Sequence, residues 1–188
     1  MGLRITKYKN TYWDKPETIK SITIANKLYI QKAKDFKKHK DTLLKLIDDM
    51  PPVMAVYVTK SDWLVQGQFD RPYLNYFYKH IGNPLMCHLM RKLKASNWRI
   101  GSGWYQQYKK GSHHLYHNHT NTNYTNIFFL ELPDNNYKTI IIDGNGKLIS
   151  FKAKEGDIIT FPAHLLHKSK PNGVKRKTII SFNSNFMY

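Results

Sequence analysis

At 188 residues, 41% hydrophobic and 14% aromatic, the chain is long enough for one sizeable core and too apolar for an unstructured tail. No apolar run reaches the roughly eighteen residues of a membrane span. The polar start carries no apolar signal region, and the single cysteine, Cys87, cannot close an internal disulfide and fits a reducing, cytoplasmic compartment. Thirty lysines and arginines against 13 acids leave a net charge of +17, which admits a nucleic-acid partner beside the plainer reading of a solvated lysine surface.

In chain order, Ile22 to Ile24 and Leu28 to Ile30 read as strands. A helix is expected from Ala33 to Asp49, with Leu43, Leu44, Leu46 and Ile47 as its apolar stripe and Pro51-Pro52 as its stop. Val53 to Val58 reads as an apolar strand and Ser61-Asp62-Trp63 as the start of a loop. Pro72 opens a second helix with Leu74, Phe77 and Tyr78 inward. Gly82-Asn83-Pro84 should break it, with Asn83 capping a third helix through Leu85, Leu89 and Leu93.

From Trp98 the character changes to aromatic and β-branched runs between Gly, Asn, Asp and Lys turns. Asp143-Gly144-Asn145-Gly146, between Thr139–Ile142 and Leu148–Phe151, is a hairpin signal. Seven or eight strands are expected after Trp98. They predict a mainly β double-stranded jelly roll with supporting N-terminal helices, in one domain over 1–188: strands and helices in 1–97, and the jelly-roll core with the site in 98–188.

The chemistry concentrates after Trp104. His117 and His119 stand one residue apart and would share a strand face. His167 follows, delivered from a neighbouring part of the same sheet, with His164 as its rival. Arg176 comes nine residues later. Arg176 and Thr178 alternate on one strand, and an arginine facing a barrel interior needs an anion. No acid in these segments offers itself as a fixed partner, because Glu155 and Asp157 flank a turn, so the anion is expected to be a ligand. His113 and His114, in a Gly-Ser turn before the site, read as solvent-exposed, with the alternative that one of them faces the substrate, and Asn126 reads as a further side chain able to face a metal.

Together Tyr108-Lys109-Lys110-Gly111, His117-x-His119, Ile127-Phe128-Phe129-Leu130, Gly156-Asp157 with Phe161-Pro162, His167, and Arg176-x-Thr178 closing on Ser181-Phe182-Asn183 resemble the iron(II)/2-oxoglutarate dioxygenases. The likeness is to the prolyl-hydroxylase-like branch and its small phage and bacterial relatives. The resemblance covers roughly residues 100–186. It implies iron(II) on His117, His119 and His167, with His119 standing where the family has an aspartate. It also implies 2-oxoglutarate as cosubstrate, its far carboxylate on Arg176 and Thr178 and near Tyr108, and hydroxylation of a substrate such as a protein side chain. Two other classes stay open: a three-histidine cupin-like metal protein that does not use 2-oxoglutarate, and a non-catalytic viral β-sandwich.

Overall fold

The computed structural model describes residues 27–51, 58, 60–65 and 67–188. In chain order its strands are β1 (Tyr29–Lys32), β2 (Lys60–Ser61), β3 (Asn97–Tyr108), β4 (His114–His117), β5 (Tyr124–Glu131), β6 (Ile140–Ile141), β7 (Asp157–Pro162), β8 (His167–Ser169) and β9 (Lys177–Met187). Its helices are α1 (Phe36–Asp48), α2 (Pro72–Phe77) and α3 (Asn83–Leu93). Six strands form one antiparallel sheet in the order β1-β7-β5-β9-β3-β2, and three form a second in the order β4-β8-β6. This is the expected mainly β jelly roll with supporting helices, and seven strands lie between Asn97 and Met187.

The central strands of the large sheet are built from Ile, Phe and Thr, residues that suit a pleated surface packed on both sides. Their even positions, Phe128, Ile158, Ile180 and Phe182, face a core shared with Phe36, Leu43, Ile47, Phe77 and Met86 of the helical layer. Their odd positions, Ile127, Phe129, Ile159, Phe161 and Ile179, face a second core with Tyr108, Ile141 and Leu165 toward the small sheet. Burial on both faces explains why Ile127 to Leu130 reads as an unbroken apolar run and not as an alternation.

The expected first helix is α1, which begins three residues later and ends one residue earlier than expected. Leu43 and Ile47 are buried, and Leu44 and Leu46 pack against the core from partly exposed positions. Its start is fixed from the sheet: Gly156 has φ +83°, and a Cβ there would strike the Phe36 ring. The strand expected at Leu28 to Ile30 is β1, one to two residues further on. Ile22 to Ile24 and all of Val53 to Val58 except Val58, which is buried, lie outside the described residues.

The break expected at Gly82-Asn83-Pro84 does not occur. A π-turn over Tyr78–Gly82 joins α2 to α3, and Asn83 is itself helical, at φ −61° and ψ −46°, so it is no cap. Pro84 offers no N–H and its ring crowds the preceding turn; a wider turn just before it relieves both conflicts. The Asp143 hairpin is present. Ile142 pairs with Leu148, and the Asp143 carboxylate accepts from the backbone N–H groups of Asn145 and Lys147, both at 2.9 Å.

Candidate metal centre

Three histidines meet between the two sheets. His117 ends β4 and lies opposite His167, the first residue of β8, in the register of the small sheet. The expectation that His167 belongs to the sheet of Ile158–Phe161 is therefore corrected: it comes from the facing sheet. His119 lies beyond the end of β4. Its backbone N–H donates to Ala163 O at 2.9 Å, and its ring stacks on Trp104 with centroids 5.6 Å apart. One ring nitrogen from each of His117, His119 and His167 lies within 4.8 Å of the others. Ligands on a shared ion at about 2.1 Å would need only small ring movements from there. His164, the rival distal ligand, is exposed.

The hydrogen bonds fix which nitrogen is free. His167 Nδ1–H donates to Leu165 O at 3.0 Å and His117 Nδ1–H to Leu115 O at 2.8 Å. Both Nε2 lone pairs are left bare, the arrangement in which a supporting carbonyl orients a metal ligand. His119 Nε2 is buried without a partner, a costly state for a polar atom unless something binds it. Burial first, and then the neighbouring histidines, lower the pKa of His167 to about 3 and of His119 to about 4. Burial also lowers that of His117. All three rings are thus neutral at pH 7 and able to donate a lone pair. The donor set fits a divalent ion that accepts imidazole.

A small recess of about 20 Å³ lies against the histidines and reaches Gln106, Tyr108 and Ser169. A larger cleft of about 320 Å³ opens to solvent past Trp63, Trp104, Asn118 and Asn183. Tyr108, expected near the cosubstrate, lines the recess, with its hydroxyl 3.0 Å from Gln106 Oε1. Asn126 does not face the ion. It is on the helix-side face, saturated by Phe182 O, Ser184 Oγ and Thr160 Oγ1.

Arg176 and Thr178 are not brought to the histidines. Arg176 Nε and Nη2 donate to the two Glu131 oxygens at 2.8 and 3.1 Å, and Nη1 donates to Asp48 at 3.1 Å. Thr178 Oγ1 donates to the same Glu131. The alternation expected for the pair is right and the face is wrong, since a slip of one residue exchanges the two faces of a strand. The acid expected to be missing comes from the end of β5. A register shift between Phe129 and Glu131 turns the Glu131 side chain to the outer face, opposite Thr178.

The residue that faces inward is Lys177. It is fully buried. Its Nζ donates to Tyr137 O at 3.0 Å and to Ser169 Oγ, and lies 3.9 Å from the Tyr108 ring centroid. Among the described residues no carboxylate pairs with it. Desolvation pulls its pKa down to about 7. His114 is also drawn in. A register shift within β4 sets it beside His117, with ring centroids 4.1 Å apart, so of its two sequence readings the solvent-exposed turn residue is the one that fails. Neither residue had a distinguishing signal: Lys177 is one of three consecutive basic residues, and β4 carries its irregularity without a glycine or proline to mark it.

No family model and no curated protein matches the sequence. Solved structures do match, among them 2-oxoglutarate–iron(II) oxygenases. A collagen prolyl hydroxylase of Paramecium bursaria Chlorella virus-1, solved with 2-oxoglutarate, is 14% identical over 85% of this chain and 96% of its own, with TM-score 0.56. An oxidoreductase of the 2OG-Fe(II) oxygenase family from Burkholderia pseudomallei is 9% identical over 84% of each chain, TM-score 0.58. The non-heme α-ketoglutarate-dependent epimerase SnoN of nogalamycin biosynthesis is 12% identical over 85% of this chain and 77% of its own, TM-score 0.62. The architecture is therefore that of these oxygenases. A hydroxylase and an epimerase on one fold show that the reaction has to be read from the site. The nucleic-acid partner that the net charge admits gains no support from these comparisons. No helix among the described residues is long and apolar enough to cross a membrane.

Proposed function

We propose that this chain is an iron(II)- and 2-oxoglutarate-dependent oxygenase that hydroxylates a substrate entering through the Trp63–Trp104 cleft. The observation that carries this reading is a pair of unmet demands in one interior: three neutral histidines with free Nε2 atoms, and a buried lysine without an anion. His117, His119 and His167 would hold the ion. Lys177, with Ser169 and Tyr108 beside it, would hold the far carboxylate of the cosubstrate, the role the sequence suggested for Arg176 and Thr178. When bound, iron and 2-oxoglutarate would, with dioxygen as the oxidant, supply an oxidative decarboxylation to succinate and carbon dioxide coupled to insertion of the second oxygen atom into a substrate C–H bond. The protein's own part is to orient these groups, and its buried, aromatic-walled interior limits water. The collagen prolyl hydroxylase neighbour makes a protein side chain the substrate class to try first.

One observation favours a second reading, a three-histidine metal protein that does not use 2-oxoglutarate. The recess beside Lys177 holds about 20 Å³, room for roughly one water, so a dicarboxylate fits only if side chains turn. Anaerobic calorimetry of the iron(II)-loaded protein separates the two. The parent should bind 2-oxoglutarate, and Lys177→Ala should weaken it by about ten- to a hundred-fold, the value of a charge-assisted contact, with iron uptake unchanged. Absence of 2-oxoglutarate binding by the parent would put the second reading first.

A further inference from the structure

β1 is the outermost strand of the large sheet and pairs with β7 alone. In an antiparallel pair every second residue turns its N–H and C=O away from the partner. About half of the β1 backbone groups therefore stand open, and no strand among the described residues meets them. An open edge is a template for another extended chain, and Ile30 on it is 44% exposed. Beside the edge runs a groove. Leu85, His88, Leu89 and Lys92 recur along one face of α3, and between them and β1 lies a hollow of about 480 Å³. Leu85 and Leu89 are buried and close its floor. Lys32, His88 and Lys92 are exposed at its rim, and no carboxylate lines it. Neither lysine is in an ion pair among the described residues. Gln31 also lines the groove, and its Nε2 is shielded from water without an acceptor, a state that a donor leaves once an acceptor is brought to it.

We propose that the β1 edge and the α3 groove bind an extended acidic segment of another protein, added to the large sheet as a further strand. The occupant follows from what the surface lacks. Open C=O groups need N–H donors, which a polypeptide backbone has and a phosphodiester chain does not. A second copy pairing edge to edge would bring the same lysines against each other. Residues 1–26 carry five cations and two acids, so their charge is also of the wrong sign. A foreign acidic strand meets every demand: its backbone pairs with β1, an apolar side chain covers Ile30, and its carboxylates reach Lys32 and Lys92. The groove belongs to the helical side of the large sheet and owes nothing to the histidines between the sheets.

The test is fluorescence anisotropy of the full chain with labelled probes: a heptapeptide alternating glutamate and valine, the same peptide N-methylated at every residue, and oligothymidylate. The first should bind. The second should not, because methylation keeps the charge and removes the backbone donors. The double reversal Lys32→Glu with Lys92→Glu should weaken the first about ten-fold, the value of one charge-assisted contact. Both lysines are exposed, so circular dichroism and the thermal midpoint of that variant should stay near those of the parent. Benzoylphenylalanine in place of Ile30 should photo-label the bound peptide. No binding of the glutamate–valine peptide overturns the inference. Equal binding of its N-methylated form does so too, since charge alone would then hold it. Oligothymidylate bound more tightly than the peptide, and lost on the same reversal, would make this a nucleic-acid face. Photoproducts joining position 30 to residues 1–26, or to a second copy of the chain, would give the edge to that occupant and overturn the foreign strand.

Discussion

The two faces of β9 carry neighbouring cations with opposite fates. On the outer face Arg176 is a third exposed and held by two carboxylates. On the inner face Lys177 is fully buried and held by none. The outer face continues into Ile180 and Phe182 against the helices, an apolar layer in which the buried Tyr78 and Tyr105 hydroxyls are the polar groups without a partner. The inner face continues into Ile179, Ser181 and Asn183 along the cavities. One strand therefore separates a surface that stabilises the fold from one that leaves groups free for a ligand. What distinguishes the two is whether the cation finds a carboxylate inside the chain.

The largest effect that can break this division is on the outer face. Phe128 packs on Phe36 and Phe77, with centroids 5.7 and 5.1 Å away. Phe128→Ala should cost about 3–5 kcal/mol in urea denaturation. Metal affinity, measured per folded molecule, should stay near that of the parent. On the inner face His167→Ala should do the reverse, lowering iron affinity by more than the roughly 10–100-fold usual for a merely supporting residue. A variant that keeps its metal would remove His167 from the site.

The two cations give a smaller and sharper contrast. Lys177→Met replaces an unpaired buried cation by an apolar chain and should stabilise the empty protein by about 1–3 kcal/mol. Arg176→Ala strands Glu131 and should destabilise it by about 1 kcal/mol after allowance for its partial exposure. Thermal unfolding of both variants reads the opposite signs.

The remaining contrast is in pH. The folded pKa of Lys177, lowered to about 7, lies below its ordinary 10.5. The unfolded chain therefore binds the extra proton between those values, and this group's contribution to stability rises as pH climbs from about 7 to 10.5 and is lost as pH falls back through 7. A stability profile of the parent should rise over that window relative to Lys177→Met. An unchanged difference between the two would mean that Lys177 is not desolvated in the folded state.

Much of this was legible in the sequence. The jelly roll followed from strand-forming runs and turn residues, and His117, His119 and His167 were named from their spacing. The polarity of β9 was not legible, because burial on both sides erases the alternation from which a face is read. Lys177 and Arg176 differ by one position, and which of them turns inward depends on the strand's register against β3 and β5. His114 was left between an exposed and an inward reading for a related reason. Three-residue spacing on a regular strand puts two side chains on opposite faces, and only the irregularity in β4 brings it beside His117.

Gly103 bears on how this molecule can drift over generations. A side chain there would fall on the hydroxyl of Tyr78 in the π-turn, and the Gly103 carbonyl already accepts from Arg71. The strand that carries Trp104, Gln106 and Tyr108 into the cavities is thus clasped from behind by the helical layer. Nearly every substitution at this codon would push the strand toward the histidines. The depth of the histidine-lined chamber is in that sense inherited from a contact on the opposite side of the sheet, and a lineage changing what the cleft admits would have to vary the rim at Trp63 and Asn118 and leave the back wall alone.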